Sequence, residues 1–100
     1  MLRDRSISVR EAAVDILGRY ITASATLSEK YCPIILERIK DKGPSVRKKA
    51  IVVLSEIVTN SALPEELTST IIIELVKRIH DDTDLIKATV AKTFERLWGG

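Results

Sequence analysis

Three times in this 100-residue chain an aspartate is followed six residues later by a basic residue: Asp4 and Arg10, Asp41 and Arg47, Asp81 and Lys87. A carboxylate can accept the backbone N–H groups left free at the start of a helix, and it can pair with a guanidinium or ammonium. Because the pairs recur with a repeat rather than at one place, they read as a structural ladder. In it, the aspartate of one unit meets the basic side chain of its stacked neighbour. The alternative is that Arg10, Arg47 and Lys87 touch a ligand.

The second chemical feature is a cluster of cations. Residues 38–49 (RIKDKGPSVRKK) hold six basic residues and one acid, while the other 88 hold ten basic and thirteen acidic, for a net charge of +2. Arg38, Lys40, Lys42, Lys48 and Lys49 are candidate contact residues, and Lys77, Arg78 and Lys92 extend the series into the next unit. Two readings fit. A row of such cations suits a phosphate backbone or an acidic protein surface. Alternatively the cluster is a solvated turn, in which Arg38, Lys40 and Arg78 favour helix C-termini by about 0.3–1 kcal/mol each. No base-reading motif is present, so contact with DNA would be non-specific.

Catalytic chemistry finds no support. The four glycines (Gly18, Gly43, Gly99, Gly100) form no phosphate loop, and the one cysteine and one histidine cannot assemble a zinc site or an internal disulfide. Cys32 lies in an apolar helical run and reads as a packing residue. His80 ends a predicted helix, where its charge favours the dipole. Asp81–Asp82 reads as a solvated turn. Tyr20 and Tyr31 are too sparse for a base-stacking platform. Trp98 is either a partner hot spot or a packing residue against Phe94 or a following repeat. No enzyme activity, cofactor or small-molecule substrate is expected. No apolar stretch reaches the roughly 18 residues of a membrane span. The opening MLRDRSISVRE lacks a signal-peptide core, and a single cysteine suits a reducing compartment.

What positions these residues is a repeated helix. A shift of 37 lays Asp41, Ser45, Val46, Arg47, Ala50 and Leu54 on Asp4, Ser8, Val9, Arg10, Ala13 and Leu17. A shift of 40 lays Asp81, Ile86, Lys87, Phe94 and Leu97 on Asp41, Val46, Arg47, Leu54 and Ile57. The same shift aligns the preceding segments, with Ile71, Leu75, Arg78 and Ile79 on Tyr31, Ile35, Arg38 and Ile39. A period near 40 built of paired helices is the signature of an α-solenoid.

Helical spacing predicts apolar stripes of Val9, Ala13, Ile16, Leu17 and Tyr20; of Val46, Ala50, Val53, Leu54 and Ile57; and of Ile86, Val90, Thr93, Phe94 and Leu97. Ser8 with Glu11 forms a predicted capping box, and Ser28, Ser45 and Asp84 are the other predicted caps. Intervening helices are expected over 28–40 and 65–79, with Pro64 in the first turn of the second and a kink at Pro33. Residues 22–27 and 59–64 are the expected links. The chain thus divides into a lone second helix (4–21) and two complete helix pairs (28–59 and 64–98). The outward faces of the end helices are expected to be open to water.

These features resemble the HEAT repeat, whose marks are a proline in the first helix (Pro33), an aspartate in the turn (Asp41) and Val46–Arg47 opening the second helix. The third unit departs from it, with Ile86–Lys87 for Val–Arg and Glu74 at a position where an apolar residue is expected. SVREAAVDILGRYI, YCPIILERIKDKGPSVRKKAIVVL and KRIHDDTDLIKATVAKTFERLW also follow one another as in the Nipped-B family of cohesin loaders. The KTFERLW ending lies outside the repeat consensus, which makes this resemblance the more specific. It implies an all-α, armadillo-like, right-handed α-solenoid of about five helices, excised from a long nuclear, chromatin-associated chain. The implied role is non-catalytic: helping to load the cohesin ring, with DNA, the kleisin, the ATPase heads and neighbouring HEAT repeats as partners. The rival is a HEAT scaffold for an unrelated partner, such as a transport or phosphatase-type adaptor.

Overall fold

The computed structural model describes residues 6–60, 63–81 and 83–98. Among them, five α-helices and one 3₁₀ turn follow in order, with no strand: α1 (Ile7–Ala23), α2 (Ala25–Arg38), α3 (Pro44–Asn60), α4 (Glu65–Lys77), the 3₁₀ turn Arg78–His80, and α5 (Asp84–Trp98). Helix α3 packs on α1 along one side and α5 along the other. Helix α2 packs against α1, α3 and α4. The α1, α3 and α5 helices therefore form one row, and α2 and α4 form a second, in an all-α helical-repeat segment. Principal extents of 38 × 31 × 18 Å describe a slab about two helix diameters thick.

The slab holds together along α3. Its stripe Val46, Ala50, Val53, Leu54 and Ile57 is buried along its length, and Ile51 is buried with it. Cys32, Ile35 and Ile39 of α2, Ile71 and Leu75 of α4, and Ile86 and Val90 of α5 are buried around these residues. Each such aliphatic side chain contributes roughly 1.5–3 kcal/mol of transfer free energy. Gly18 sets how closely α1 and α3 approach. A Cβ added there would stand 2.5 Å from Val53 Cγ1, so the valine occupies space that any larger residue on α1 would fill.

The α1 stripe differs from expectation. Ile16, Val9, Tyr20 and Ala13 are exposed and Leu17 is only half-buried, whereas Val14, Gly18 and Ile21 turn inward. The reason is position in the row. Helix α3 is covered on both sides, whereas α1 meets the slab with one face only. In α5 the predicted stripe is inward, with Ile86, Val90 and Thr93 buried and Phe94 and Leu97 half-buried.

Several helix starts also differ. The cap of α1 is Ser6, whose hydroxyl accepts the Val9 N–H at 3.3 Å, so the helix begins before Ser8. Glu11 accepts a bond from Ser45 Oγ at 3.1 Å instead of closing a capping box, which ties α1 to α3. Ser45 lies inside α3. The Gly43 carbonyl accepts from Val46 and Arg47, and Pro44, with its preset φ, takes the first helical position. Thr83 plays the part of Gly43 at α5, leaving Asp84 as the first helical residue.

Residues 22–27 are not a long link. Helix α1 runs to Ala23, α2 starts at Ala25 and only Ser24 separates them. Ala23 and Ala25 suit helix ends on either side, and the break falls at Ser24, a poorer helix former. Ser28 therefore falls inside α2, and its side chain lies outside the described set. Helix α2 continues through Pro33, and Pro64 occupies the cap position of α4 rather than its first turn. Asp4, Asp82 and the Trp98 side chain lie outside the described residues.

Candidate functional site: a basic cleft between two turns

The turns that join α2 to α3 and α4 to α5 are built alike. Asp41 accepts the Gly43 N–H at 2.8 Å, and Asp81 accepts the Thr83 N–H at 2.9 Å, so each carboxylate closes its own turn. Each also receives a guanidinium from the preceding helix of the α1–α3–α5 row. Arg10 donates to Asp41 through Nε at 2.8 Å and Nη2 at 2.9 Å, in the two-pronged geometry that a planar fork allows. Arg47 approaches Asp81 through Nε at 3.3 Å and Nη2 at 3.3 Å. A second arginine reaches each carboxylate from three residues upstream, Arg38 to Asp41 at 3.2 Å and Arg78 to Asp81 at 3.7 Å.

Burial pushes the Asp41 carboxyl up. The bonds from Arg10, Gly43 and Arg38 outweigh burial and hold it below the usual carboxylate range. Arg47 does more than pair with Asp81. Its Nη1 donates to the Asp41 carbonyl at 2.7 Å and its Nη2 to Thr83 Oγ1 at 2.8 Å, so one side chain stitches the two turns together. Among the described residues Lys87 closes no such contact. It lies 4.0 Å from Asp84 on the exposed start of α5.

Beside this ladder a cleft of about 340 Å³ opens between the turns, lined by Lys40, Arg47, Lys77, Arg78, His80 and Asp81. Three of the candidate cations, Lys40, Lys77 and Arg78, are thus brought together. Lys77 Nζ lies 3.2 Å from Glu74 at the surface, and Arg78 Nε is buried without a hydrogen-bond acceptor among the described residues. The remaining candidates do not line the cleft. Arg38 is half-buried and engaged with Asp41, Lys42 is exposed on the turn, Lys48 and Lys49 sit on the first turns of α3, and Lys92 is exposed on α5. A neighbouring depression lined by Leu36, Glu37, Lys40, Thr70 and Glu74 shares Lys40 and carries two carboxylates.

The part of His80 in the cleft and the double bonding of Arg47 escaped sequence reasoning. A signal for the second existed: the shift of 40 that lays Asp81 on Asp41 also lays Thr83 on Gly43, marking both as turn positions. The chemistry on offer is neutralisation of an anion. Burial pushes the Cys32 thiol up to about 11, so at neutral pH it holds almost no nucleophilic thiolate. Among the described residues no group of three or more His, Cys, Asp or Glu could hold a metal ion, and no helix is long and apolar enough to cross a membrane.

Paired helices stacked in rows, stitched by arginine–aspartate contacts and presenting a basic edge, define a helical-repeat segment. Comparison with known proteins makes the class specific. The family model described as "Sister chromatid cohesion protein PDS5 protein" matches residues 2–100. The chain belongs to that family. It is 39% identical over 97 residues to Nipped-B-like protein A of Danio rerio, covering 97% of this chain and 4% of that protein. The identity to the Nipped-B-like protein of Homo sapiens is the same, covering 97% of this chain and 3% of that protein. The chain therefore spans only a small fraction of the length of these curated relatives. No solved structure matches it significantly.

Proposed function

We propose that this segment is a non-catalytic scaffold of a cohesin loader in the nucleus, holding DNA or cohesin subunits, such as the kleisin or the ATPase heads, along its basic edge. The observation that carries the reading is the cleft in which Lys40, Lys77 and Arg78 converge between two turns. Family membership and the likeness to Nipped-B-like proteins support the cohesin setting. A cationic edge on a repeating scaffold suits phosphates, which recur along a backbone and require no shaped pocket. The lysines are the groups assigned to this contact, because Arg38, Arg47 and Arg78 also serve the turn aspartates.

The test is binding of a short DNA duplex as a function of salt, for the wild-type chain, for one carrying the cleft changes Lys40→Glu and Lys77→Glu, and for one carrying Lys42→Glu, Lys48→Glu and Lys49→Glu in addition. Each variant is expected to bind more weakly, with the log–log salt slope reduced by about one for each phosphate contact removed. An unchanged affinity and slope would remove DNA from the reading. The same variants, placed in the longer parent chain, would then be assayed against cohesin subunits.

A further inference from the structure

Three depressions follow one another along the crease between α2 and α4. The basic cleft at the turns shares Lys40 with the depression that holds Glu37 and Glu74. That depression shares Thr70 with a third, about 340 Å³, which lies between Glu29 and Glu66. Both helices enter this furrow from the same end, so its charge changes along its length. At the helix starts it is lined by Glu29 and Glu66 and, among the described residues, by no cation. In the middle Glu37 and Glu74 stand with Lys40. At the turns Lys40, Lys77 and Arg78 stand with Asp81. Glu74 adds a demand of its own. A shift of 40 lays it on Ile34, so a carboxylate takes the place of an apolar side chain. Its Oε2 accepts from Lys77 Nζ at 3.2 Å, while its Oε1 is buried and meets no donor among the described residues. Buried carboxylate oxygens are ordinarily paired, so the middle of the furrow holds an acceptor for whatever lies in it.

We propose that this furrow binds an extended segment of a partner polypeptide, basic where it meets Glu29 and Glu66, acidic where it meets Lys40 and Lys77, and donating a main-chain N–H to Glu74 Oε1. Charge complementarity selects the occupant. The glutamates repel phosphates over most of the crease, so a DNA duplex touches only the end at the turns. The free acceptor selects its conformation, because a helix spends its N–H groups on itself and an extended chain keeps them available. From Glu66 to Lys77 the furrow runs about 17 Å at the helical rise, a distance that about five extended residues span. The inference rests on reading the basic cleft as a binding edge, and it goes beyond that reading by adding the acidic end and the charge pattern of the partner.

Three synthetic peptides of one length test this on the whole chain. The first has two arginines at one end, two glutamates at the other and small apolar residues between them. The second has the same composition with its charges alternating, and the third is acidic throughout. Binding is read from amide chemical shifts in the folded protein. The bipolar peptide is expected to bind at least about fivefold more tightly than the other two and to shift the amides of Thr70 and Glu74. Glu29→Lys with Glu66→Lys, both at exposed positions, should weaken it by roughly tenfold while strengthening binding of duplex DNA. Equal binding of the three peptides, or no shift at Thr70 and Glu74, would overturn the proposal. An unchanged affinity in the Glu29→Lys, Glu66→Lys variant would overturn it too and leave the basic cleft as the binding edge. If Lys40→Glu with Lys77→Glu weakened neither peptide nor DNA, the reading of the cleft would fall together with it.

Discussion

Replacing Arg47 with methionine keeps most of the apolar stem and removes the charge. In the folded chain that guanidinium is held at the Asp41 carbonyl at 2.7 Å, Thr83 Oγ1 at 2.8 Å and the Asp81 carboxylate at 3.3 Å. The Arg47 and Asp81 side chains are 11% and 3% exposed, so water reaches neither well. Asp81 would keep the Thr83 N–H and the distant Arg78, but the Asp41 carbonyl would lose its donor. Breaking a buried pair by removing one partner costs about 3–5 kcal/mol. Against a total stability of about 5–15 kcal/mol for a domain, that is a large share.

Urea unfolding followed by far-UV circular dichroism at pH 7 measures the loss directly. The expected result for Arg47→Met is a destabilisation of about 3–5 kcal/mol, barely relieved by moderate salt because buried pairs are poorly screened. Asp81→Asn still offers an oxygen to the Thr83 N–H, so combining it with Arg47→Met should cost less than the sum of the singles by about 1–3 kcal/mol. A loss below about 1 kcal/mol, the range of a surface pair, or strict additivity, would refute the stitching role of Arg47.

Acid weakens the other turn. The Asp41 carboxyl is held below its ordinary value near 3.9 in the folded chain, so its stabilisation is fully present above that pH and is lost as pH falls through the folded value. The stability gap between wild type and Asp41→Asn should therefore shrink as pH drops from about 4 to 2, and a constant gap would contradict the assignment. Gly18→Ala sets two effects against each other. Alanine favours a helix interior by about 1 kcal/mol, yet its Cβ would stand 2.5 Å from a stiff Val53 methyl, and overpacking costs about 1–3 kcal/mol. A net loss of about 1 kcal/mol in urea unfolding is expected, turning into a gain in the Val53→Ala background; stabilisation of the wild type by Gly18→Ala would contradict the close approach of α1 and α3.

The helix count, the α3 stripe and the likeness of the two aspartate turns were legible in the sequence, because each follows from spacing within one unit. The α1 stripe was not, because the burial of a residue depends on which neighbour its helix has, and identical spacing in Val9 and Val46 does not carry that information. Helix caps failed for a related reason. Ser45 looks like a cap from its type, but the Gly43 carbonyl and the Pro44 ring fix the start two residues earlier. The basic cleft was legible as composition only. Lys40 and Lys77 are 37 positions apart in the chain and converge because two turns stack.

That stacking also divides the cations by task. Formal charge counts Arg38 and Arg47 with Lys40, Lys42, Lys48 and Lys49 as one cluster. The structure commits both arginines to turn aspartates, whereas among the described residues none of those four lysines joins an ion pair. The division suits the two side chains. A rigid guanidinium fork holds a carboxylate and a carbonyl in fixed geometry, and a flexible, well-hydrated ammonium makes adaptable contact with a phosphate wherever it lies. The two turn aspartates offset two of the four arginine charges, and the lysines add the cations that are free to move toward a partner at this edge. Arginine substitutions should then be read in unfolding curves and lysine substitutions in binding curves, and it is the separation of those two readouts that distinguishes a working surface from the stitching that holds it in place.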